Sequence, residues 1–204
     1  MARFLAVFFT LVVALGLLAG AWFAYLARTV DQFAACRTSR VAGQASLGGP
    51  FTLTNQQGQE VTDKQVVDRL SLIYFGYSYC PDVCPLDMTR NVEVSRLLKE
   101  RGIDVKPVFI SIDPQRDTPE ALTEFAEYID PSLVALSGTA EQTAAVAKQF
   151  GVYYAKDGTG PDYLMSHSVQ SYLMHPKYGF LEFFPREIRA GQMRDTITCF
   201  AEKL

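Results

Sequence analysis

The sequence predicts an α/β fold in which a mixed β-sheet is flanked by helices and preceded by one N-terminal transmembrane helix. Three observations lead to this prediction. Apolar strand patterns alternate with helical patterns through the middle of the chain, as in α/β proteins. Two further strand patterns near the end flank a short turn, which predicts an antiparallel pair. An unbroken uncharged, mostly apolar run stands at the N-terminus.

This N-terminal run extends over 23 residues, from Phe4 to Leu26, which is long enough to cross a bilayer as a helix. Its length and Trp22 near its far end favour a retained anchor, because a secretory signal usually has an apolar core of about 7–15 residues. Cleavage after a small residue such as Ala21 is the alternative. The chain is then expected to divide into an anchor at 1–28, a linker at 29–46 and a domain at 47–204.

The charge of the chain is mildly acidic, with a formal value of −3. The first 28 residues contain two basic residues, Arg3 and Arg28, and no acid, so the remainder has 17 basic against 22 acidic residues. A nucleic-acid-binding surface would be basic. We therefore expect no nucleic-acid partner.

The domain is predicted to open with a β-hairpin and a short capped segment. Phe51 and Leu53 alternate with threonines, Gly58 can form a turn, and an extended pattern resumes around Val61. Thr62 or Asp63 then provides a capping signal.

The middle of the chain alternates between strands and helices. Leu70–Tyr77 is dominated by apolar residues, as in a strand buried on both faces, and Thr118 with Pro119 caps a helix. Strands are predicted at 70–77, 105–112 and 133–136, and helices at 85–102, 118–128 and 139–150. An antiparallel pair at 169–174 and 180–184 and a helix at 187–203 complete the chain.

Four cysteines lie outside the anchor. Cys80 and Cys84 stand between the end of a central strand and the start of a helix, which is the arrangement of thioredoxin-like folds. Cys36 and Cys199 lie near the two ends of the domain, and chain ends are often close in space. The second pair is therefore predicted to be either a disulfide or two free thiols.

Cys80 and Cys84 are separated by three residues. If the segment is helical, both sulfurs project from one face about one turn apart, so two soft donors can meet one ion. Thioredoxin-type redox centres more often have two intervening residues, so this spacing favours metal binding over redox catalysis. The dipole of the following helix favours thiolates. A structural disulfide is the third interpretation, although so short a loop constrains the unfolded chain little.

Two sulfurs alone underfill most metal ions, so a third ligand is expected among the two histidines. His167 follows the glycine-containing stretch 157–162 and precedes a predicted strand, whereas His175 precedes Pro176 in a turn and is expected to face solvent. A lone histidine is more often an ordinary residue than a ligand. A set of two cysteines and one histidine suits Cu(I), with Cu(II) also feasible, whereas structural zinc would normally have a fourth protein donor.

These residues resemble the Sco/SenC family of copper chaperones that assist the assembly of cytochrome c oxidase. The spacing of the cysteines is weak by itself, but the extended phrase around it, with an Asp-Pro segment and a downstream histidine, is specific. The residues that carry the resemblance are 47–51 with Leu53, Tyr74–Pro85, Ser111–Pro119, and His167 and Ser168 leading into Tyr172–Met174.

The resemblance implies that Cys80, Cys84 and His167 bind copper. It also implies a thioredoxin-like domain that passes metal or electrons to the copper-bearing subunit of the oxidase, and an upstream copper donor protein. Family members commonly have an acid immediately before the ligand histidine, and here Ser166 stands there. Asp113 and Asp117 are candidates for supporting the site.

Two functions follow from this resemblance. One is a membrane-anchored metallochaperone that delivers copper to the binuclear centre of the oxidase. The other is an enzyme, a thiol-disulfide reductase that uses Cys80 and Cys84 to keep the subunit's own cysteines reduced. The expected location is the bacterial inner membrane with the domain in the periplasm, or the mitochondrial inner membrane facing the intermembrane space.

Overall fold

A computed structural model describes residues 2–29, 31–39 and 47–204, which fall into two compact units, Met1–Ala35 and Cys36–Leu204. The first unit contains the helix α1 (Ala2–Thr29). Its stretch Arg3–Phe23 has a mean hydropathy of 2.5, and its described side chains are exposed. By length and composition this helix can cross a membrane, and an N-terminal signal sequence would have the same character.

The second unit is built on a seven-stranded mixed sheet with helices packed against it, and it also carries a separate hairpin. The helices are α2 (Asp63–Val66), α3 (Val83–Lys99), α4 (Pro119–Ile129), α5 (Ala140–Gln149) and α6 (Ala190–Ala201). The strands are β1 (Thr52–Asn55), β2 (Glu60–Thr62), β3 (Ser71–Gly76), β4 (Lys106–Ser111), β5 (Val134–Ser137), β6 (Tyr154–Asp157), β7 (Leu164–His167), β8 (Ser171–His175) and β9 (Gly179–Phe184).

The sheet has the order β2-β1-β5-β4-β3-β8-β9. Its centre consists of the parallel strands β3, β4 and β5, and both edges are completed by antiparallel strands. Every residue of β3 is buried, because strands at the centre of such a sheet are covered on both faces. This confirms the predicted mixed sheet flanked by helices.

The predicted elements of the domain are confirmed, with ends that differ by a few residues. The hairpin of β1 and β2 forms, and Thr118 and Thr139 cap α4 and α5 through their side-chain oxygens. Strands β6 and β7, which pair with each other outside the main sheet, were not predicted from the sequence. His167 is the last residue of β7, whereas it was expected in a loop before a strand.

The segment before the domain is tied to it. Cys36 forms a disulfide with Cys199 of α6, so the structure contains the first of the two states predicted for this pair. The Glu182 carboxylate of β9 is fully buried and accepts hydrogen bonds from the backbone amides of Thr38 and Ser39, at 2.8 and 3.2 Å. Residues 36–39 fall inside the predicted linker, whose residues 40–46 lie outside the described part of the chain.

Candidate functional site

The cysteine pair lies where the central strand β3 gives way to helix α3. The chain leaves β3 at Gly76, and α3 begins at Val83, so Cys80 is in the connecting loop and Cys84 is in the first helical turn. Pro85 follows in that turn, where its missing N–H has no intrahelical partner to lose. Both cysteines are free thiols and both are buried.

The structure brings His167 to this pair across 83 residues of sequence. Its Nε2 atom lies 3.4 Å from Cys84 Sγ, and the Cys84 amide donates to Cys80 Sγ at 3.4 Å. The three residues predicted as ligands are therefore neighbours. Within the described part of the chain, no three His, Cys, Asp or Glu side chains stand in a ready-made metal geometry. The two sulfurs and the nitrogen would have to turn towards a common ion.

The orientation of His167 is set by its other ring nitrogen. Nδ1 lies 2.8 Å from the backbone oxygen of Ser168. Because a carbonyl oxygen only accepts, Nδ1 carries a proton, and Nε2 is the ring nitrogen that faces the sulfurs. Histidine ligands in metal sites commonly have this second hydrogen bond. The rings of Tyr74 and Tyr77 pack edge-on against the imidazole, with centroids at 6.1 and 6.0 Å.

The two thiols differ in acidity because one donates to the other. The hydrogen bond from Cys84 lowers the pKa of Cys80, and His167 and the amides of Asp82 and Cys84 act in the same direction against the effect of burial. The same hydrogen bond and burial raise the pKa of Cys84. The pair is therefore predicted to hold one thiolate on Cys80 and one proton on Cys84, and a metal ion would displace that proton.

A buried polar pair lies below Cys84. The Tyr74 hydroxyl donates to Asp87 Oδ2 at 3.1 Å, and the Cys84 sulfur lies beside the same hydroxyl. Burial raises the pKa of Asp87, while Arg90 at 3.8 Å acts in the opposite direction. Burial and the neighbouring Cys84 raise the pKa of Tyr74, which keeps its hydroxyl protonated as a donor.

Gly76 leaves the space that the Cys84 sulfur occupies. A Cβ atom added at this position would lie 2.9 Å from Cys84 Sγ, from a ring carbon of Phe109 and from one of Tyr74. Contacts this short force neighbouring atoms to move. Glycine inside a buried strand often marks such a close approach, so Gly76 is a signal of this contact within the sequence itself.

Asp117 supports the start of the cysteine loop, as predicted from the sequence. Its buried carboxylate accepts from the Ser78 amide at 3.2 Å and the Ser78 hydroxyl at 2.6 Å, and also from the Ser111 hydroxyl. Burial raises the pKa of Asp117 while these hydrogen bonds lower it. Asp113 binds Arg116 and Tyr163 and does not contact either cysteine through any described hydrogen bond.

Two other polar residues take positions away from the cysteine pair. Ser166 is exposed on β7 between half-buried neighbours, so its side chain is on the opposite face from His167, and an acid there would point away from the sulfurs. His175 is half-buried at the end of β8, and its Nδ1 accepts from the amides of Lys177 and Tyr178. His175 is therefore only partly exposed to solvent, because the turn folds back onto its ring.

Comparisons with known proteins agree with this site. The sequence pattern of the family described as SCO1/SenC matches residues 39–202. Protein SenC of Rhodobacter capsulatus is 50% identical over 175 residues, which cover 85% of this chain and 79% of that protein. The mitochondrial SCO1 homolog 1 of Arabidopsis thaliana is 37% identical over 158 residues, which cover 76% of this chain and 47% of that longer protein.

The fold is shared with solved structures. The crystal structure of Arabidopsis thaliana ScoI with copper bound superposes with a TM-score of 0.73 at 35% identity, covering 76% of this chain and 99% of that one. The thioredoxin-like arrangement predicted from the sequence is thereby confirmed. Because the family pattern spans most of the chain and half of the aligned residues are identical to SenC, the chain belongs to the SCO1/SenC family.

Proposed function

We propose that the protein is a membrane-anchored metallochaperone that carries copper through Cys80, Cys84 and His167 and delivers it to the binuclear copper centre of cytochrome c oxidase during assembly. The observation that carries the proposal is the meeting of His167 Nε2 with the cysteine pair, at 3.4 Å from Cys84 Sγ. A dithiol used only for redox chemistry has no need of an imidazole nitrogen turned towards its sulfurs.

The chemistry of these donors fits copper. Two thiolates and one imidazole form a soft to borderline set, which suits Cu(I) and accommodates Cu(II). Loading requires the loss of the Cys84 proton and the reduced state of both thiols. The copper-bound Arabidopsis ScoI structure supports the same cargo for this chain.

The location we propose follows from the helix α1 and from the oxidised pair elsewhere in the chain. An apolar helix of this length would hold the domain at a membrane. The disulfide between Cys36 and Cys199 fits an oxidising compartment, such as the periplasm or the intermembrane space. The proposed partners are an upstream copper donor and the copper-bearing oxidase subunit.

Copper titration of the reduced full-length protein in detergent tests the metal-binding step. A chelator that competes for Cu(I) gives the affinity, and we expect one copper per chain. Exchanging both Cys80 and Cys84 for serine should weaken binding by at least about 100-fold, since two of three donors are lost. Equal copper retention by the wild type and this double variant would refute the proposal.

The second candidate is a thiol-disulfide reductase, and the unequal acidity of the pair favours it. A thiolate on Cys80 beside a protonated Cys84 is also the starting state of a redox dithiol. Such an enzyme would attack a partner disulfide with the Cys80 thiolate and resolve the mixed disulfide with Cys84. The partner then takes up two electrons and leaves as a dithiol, while Cys80 and Cys84 are oxidised to a disulfide. It would require a cellular thiol reductant to restart the cycle.

Removal of the imidazole separates the two functions. His167→Ala should abolish copper loading of the oxidase while dithiol reactivity persists, and His175→Ala, the other histidine, is the matched control and should behave as wild type. Retained oxidase assembly in cells with His167→Ala would support the reductase instead. Both variants are compared at equal protein levels.

A further inference from the structure

We propose that Arg116 is a positioning residue for His167, because it clamps the β6–β7 hairpin to the loop between β4 and α4. The inference rests on the proposed function, in which His167 is a copper ligand. The clamp consists of Arg116 and Asp113 on the β4–α4 loop and of Pro161 and Tyr163 on the hairpin.

The hairpin needs a clamp because it is not part of the main sheet. Strands β6 and β7 pair only with each other, in a register that sets Tyr154 opposite His167. No backbone ladder in the described chain therefore fixes β7 relative to β3 and α3, which position the cysteines. Residues 168–170 join β7 to β8 of the main sheet, and side-chain contacts add to the alignment that this short connection gives.

Arg116 donates one hydrogen bond within its own loop and two to the hairpin. Its Nε donates to Asp113 Oδ2 at 2.6 Å, and its Nη1 donates to the backbone oxygens of Tyr163 at 2.9 Å and Pro161 at 3.3 Å. The planar guanidinium suits such a fork of acceptors. Only 15% of the Arg116 side chain is exposed, so this ion pair is screened less than a surface pair.

Tyr163 closes the clamp from the hairpin side. Its buried hydroxyl donates to Asp113 Oδ1 at 2.6 Å, and its ring lies 3.6 Å below the guanidinium carbon of Arg116. Asp113 is itself fixed, since its amide donates a hydrogen bond to the Ser111 hydroxyl oxygen at the end of β4. The hairpin is thus held by a cation–π contact and by charge-assisted hydrogen bonds on a rigid support.

The clamp is continuous with the histidine through Tyr77. The guanidinium of Arg116 lies 5.6 Å from the centre of the Tyr77 ring, which packs edge-on against His167. The Met165 amide on β7 also contacts the Tyr77 hydroxyl. Loss of the clamp would make both β7 and the Tyr77 ring more mobile. Both of them determine the position of the His167 imidazole.

Losing the clamp is expected to change only the third ligand, His167. The sulfurs belong to α3 and its preceding loop, so they would still bind copper without the clamp. The imidazole would have to be ordered on binding, and loss of supporting residues around metal ligands typically weakens affinity by about 10–100-fold.

The test exchanges Arg116 for Met in the full-length protein in detergent. The matched control is Arg101→Met, because Arg101 also joins two elements, through Asp195 of α6 at 3.3 Å, but stands beyond the far end of α3, about 25 Å from Cys84. In the copper-free protein, hydrogen exchange of the β6 and β7 amides should accelerate by at least about tenfold in Arg116→Met only. X-ray absorption of the Cu(I)-loaded Arg116→Met protein should show both sulfur ligands and a smaller contribution from a nitrogen ligand than in the wild type.

A double-mutant cycle decides whether Arg116 acts through His167. We expect Arg116→Met to weaken copper binding by about 10–100-fold in the wild type and by less than about threefold when His167 is already Ala. An equal loss in both backgrounds, or no loss in the wild type, would overturn the inference and leave the proposed function intact.

Two further outcomes are informative. If His167→Ala binds copper as tightly as the wild type, the ligand set of the proposed function fails, and the positioning role of Arg116 fails with it. If Arg116→Met does not fold, Tyr163→Phe removes one hydroxyl from the same clamp and should change exchange and affinity in the same direction by a smaller factor. Wild-type exchange and affinity in Tyr163→Phe would then overturn the inference.

Discussion

Two regions of the molecule each bring a pair of cysteines together, and only one pair is bonded. Cys36 and Cys199 are 163 residues apart and form a disulfide, whereas Cys80 and Cys84 are four apart and remain thiols. Separation along the chain therefore does not decide the state of a pair. The surroundings of the sulfurs distinguish the two.

The bonded pair lies among contacts that fix the chain. Beside it, the buried Glu182 carboxylate accepts hydrogen bonds from the amides of Thr38 and Ser39, so residues 36–39 are held by polar contacts to β9 and by the disulfide to α6. The unbonded pair, Cys80 and Cys84, which we call the open pair, lies among groups that stabilise a thiolate. Its third neighbour, His167, is on a hairpin outside the main sheet. One region resists motion, and the other presents its sulfurs to a ligand.

The largest effect should come from breaking the bonded pair. Exchanging Cys36 and Cys199 for alanine removes a link around nearly the whole domain, and we expect the free energy of unfolding to fall by about 2–5 kcal/mol. Alanine at both Cys80 and Cys84 should change it by less, since no link is lost there. Urea unfolding of the domain in the full-length protein, followed by circular dichroism, measures both.

The copper affinity of the variant without Cys36 and Cys199 tests whether the disulfide affects only stability. The variant without Cys36 and Cys199 should bind copper as the wild type does under conditions where it is folded, and a reductant should leave its stability unchanged. If that variant were as stable as the wild type, the bonded pair would not be the structural link that the comparison assigns to it.

A smaller effect is expected from two glycines, one in each region. Gly76→Ala would place a Cβ atom 2.9 Å from Cys84 Sγ, so we expect a loss of about 1–3 kcal/mol in stability and weaker copper binding. Gly191→Ala on α6, the helix of Cys199, meets no atom within 4 Å and should stabilise the protein by about 0.4–1 kcal/mol. Thermal unfolding and copper titration of both variants test this contrast, and equal behaviour of the two would contradict it.

The sequence allowed the main sheet to be predicted because its central strands are continuous apolar runs. All six residues of β3 are buried, and the pattern of Leu72–Phe75 reveals this directly. Strand β6 has two half-buried residues followed by two exposed ones, and β7 alternates between exposed and half-buried residues, with polar residues in both strands. Their pattern resembles that of a loop, which is why this hairpin was not predicted.

The candidate site also contains residues that the sequence predicts and residues that only the structure reveals. Spacing and donor chemistry identified Cys80 and Cys84 as a pair, and the family resemblance added His167. The roles of Gly76 and Arg116 depend on distances between residues that are remote in sequence, such as the 47 residues from Arg116 to Tyr163. Single-sequence patterns contain no such distances, although a glycine in a buried strand indicates close packing.

The smallest effect concerns the protons of the open pair. With Cys36 and Cys199 bonded, only Cys80 and Cys84 can give thiolate absorbance near 240 nm. Because the pKa of Cys80 is lowered and that of Cys84 is raised, one thiolate should form well below the ordinary thiol range near pH 8.5, and the second should not form by pH 9. A titration from pH 3 to 9 would therefore show one step.

Single variants identify the cause of this step. Cys84→Ala removes the hydrogen bond that chiefly lowers the pKa of Cys80, so its step should move to higher pH, and His167→Ala should move it in the same direction by less. Cys80→Ala should delete the acidic step and let Cys84 titrate closer to the ordinary range, with burial still holding its pKa up. Two equal steps near pH 8.5 in the wild type would mean that the open pair differs from the bonded pair only in lacking the bond, and that its surroundings do not prepare a thiolate for metal.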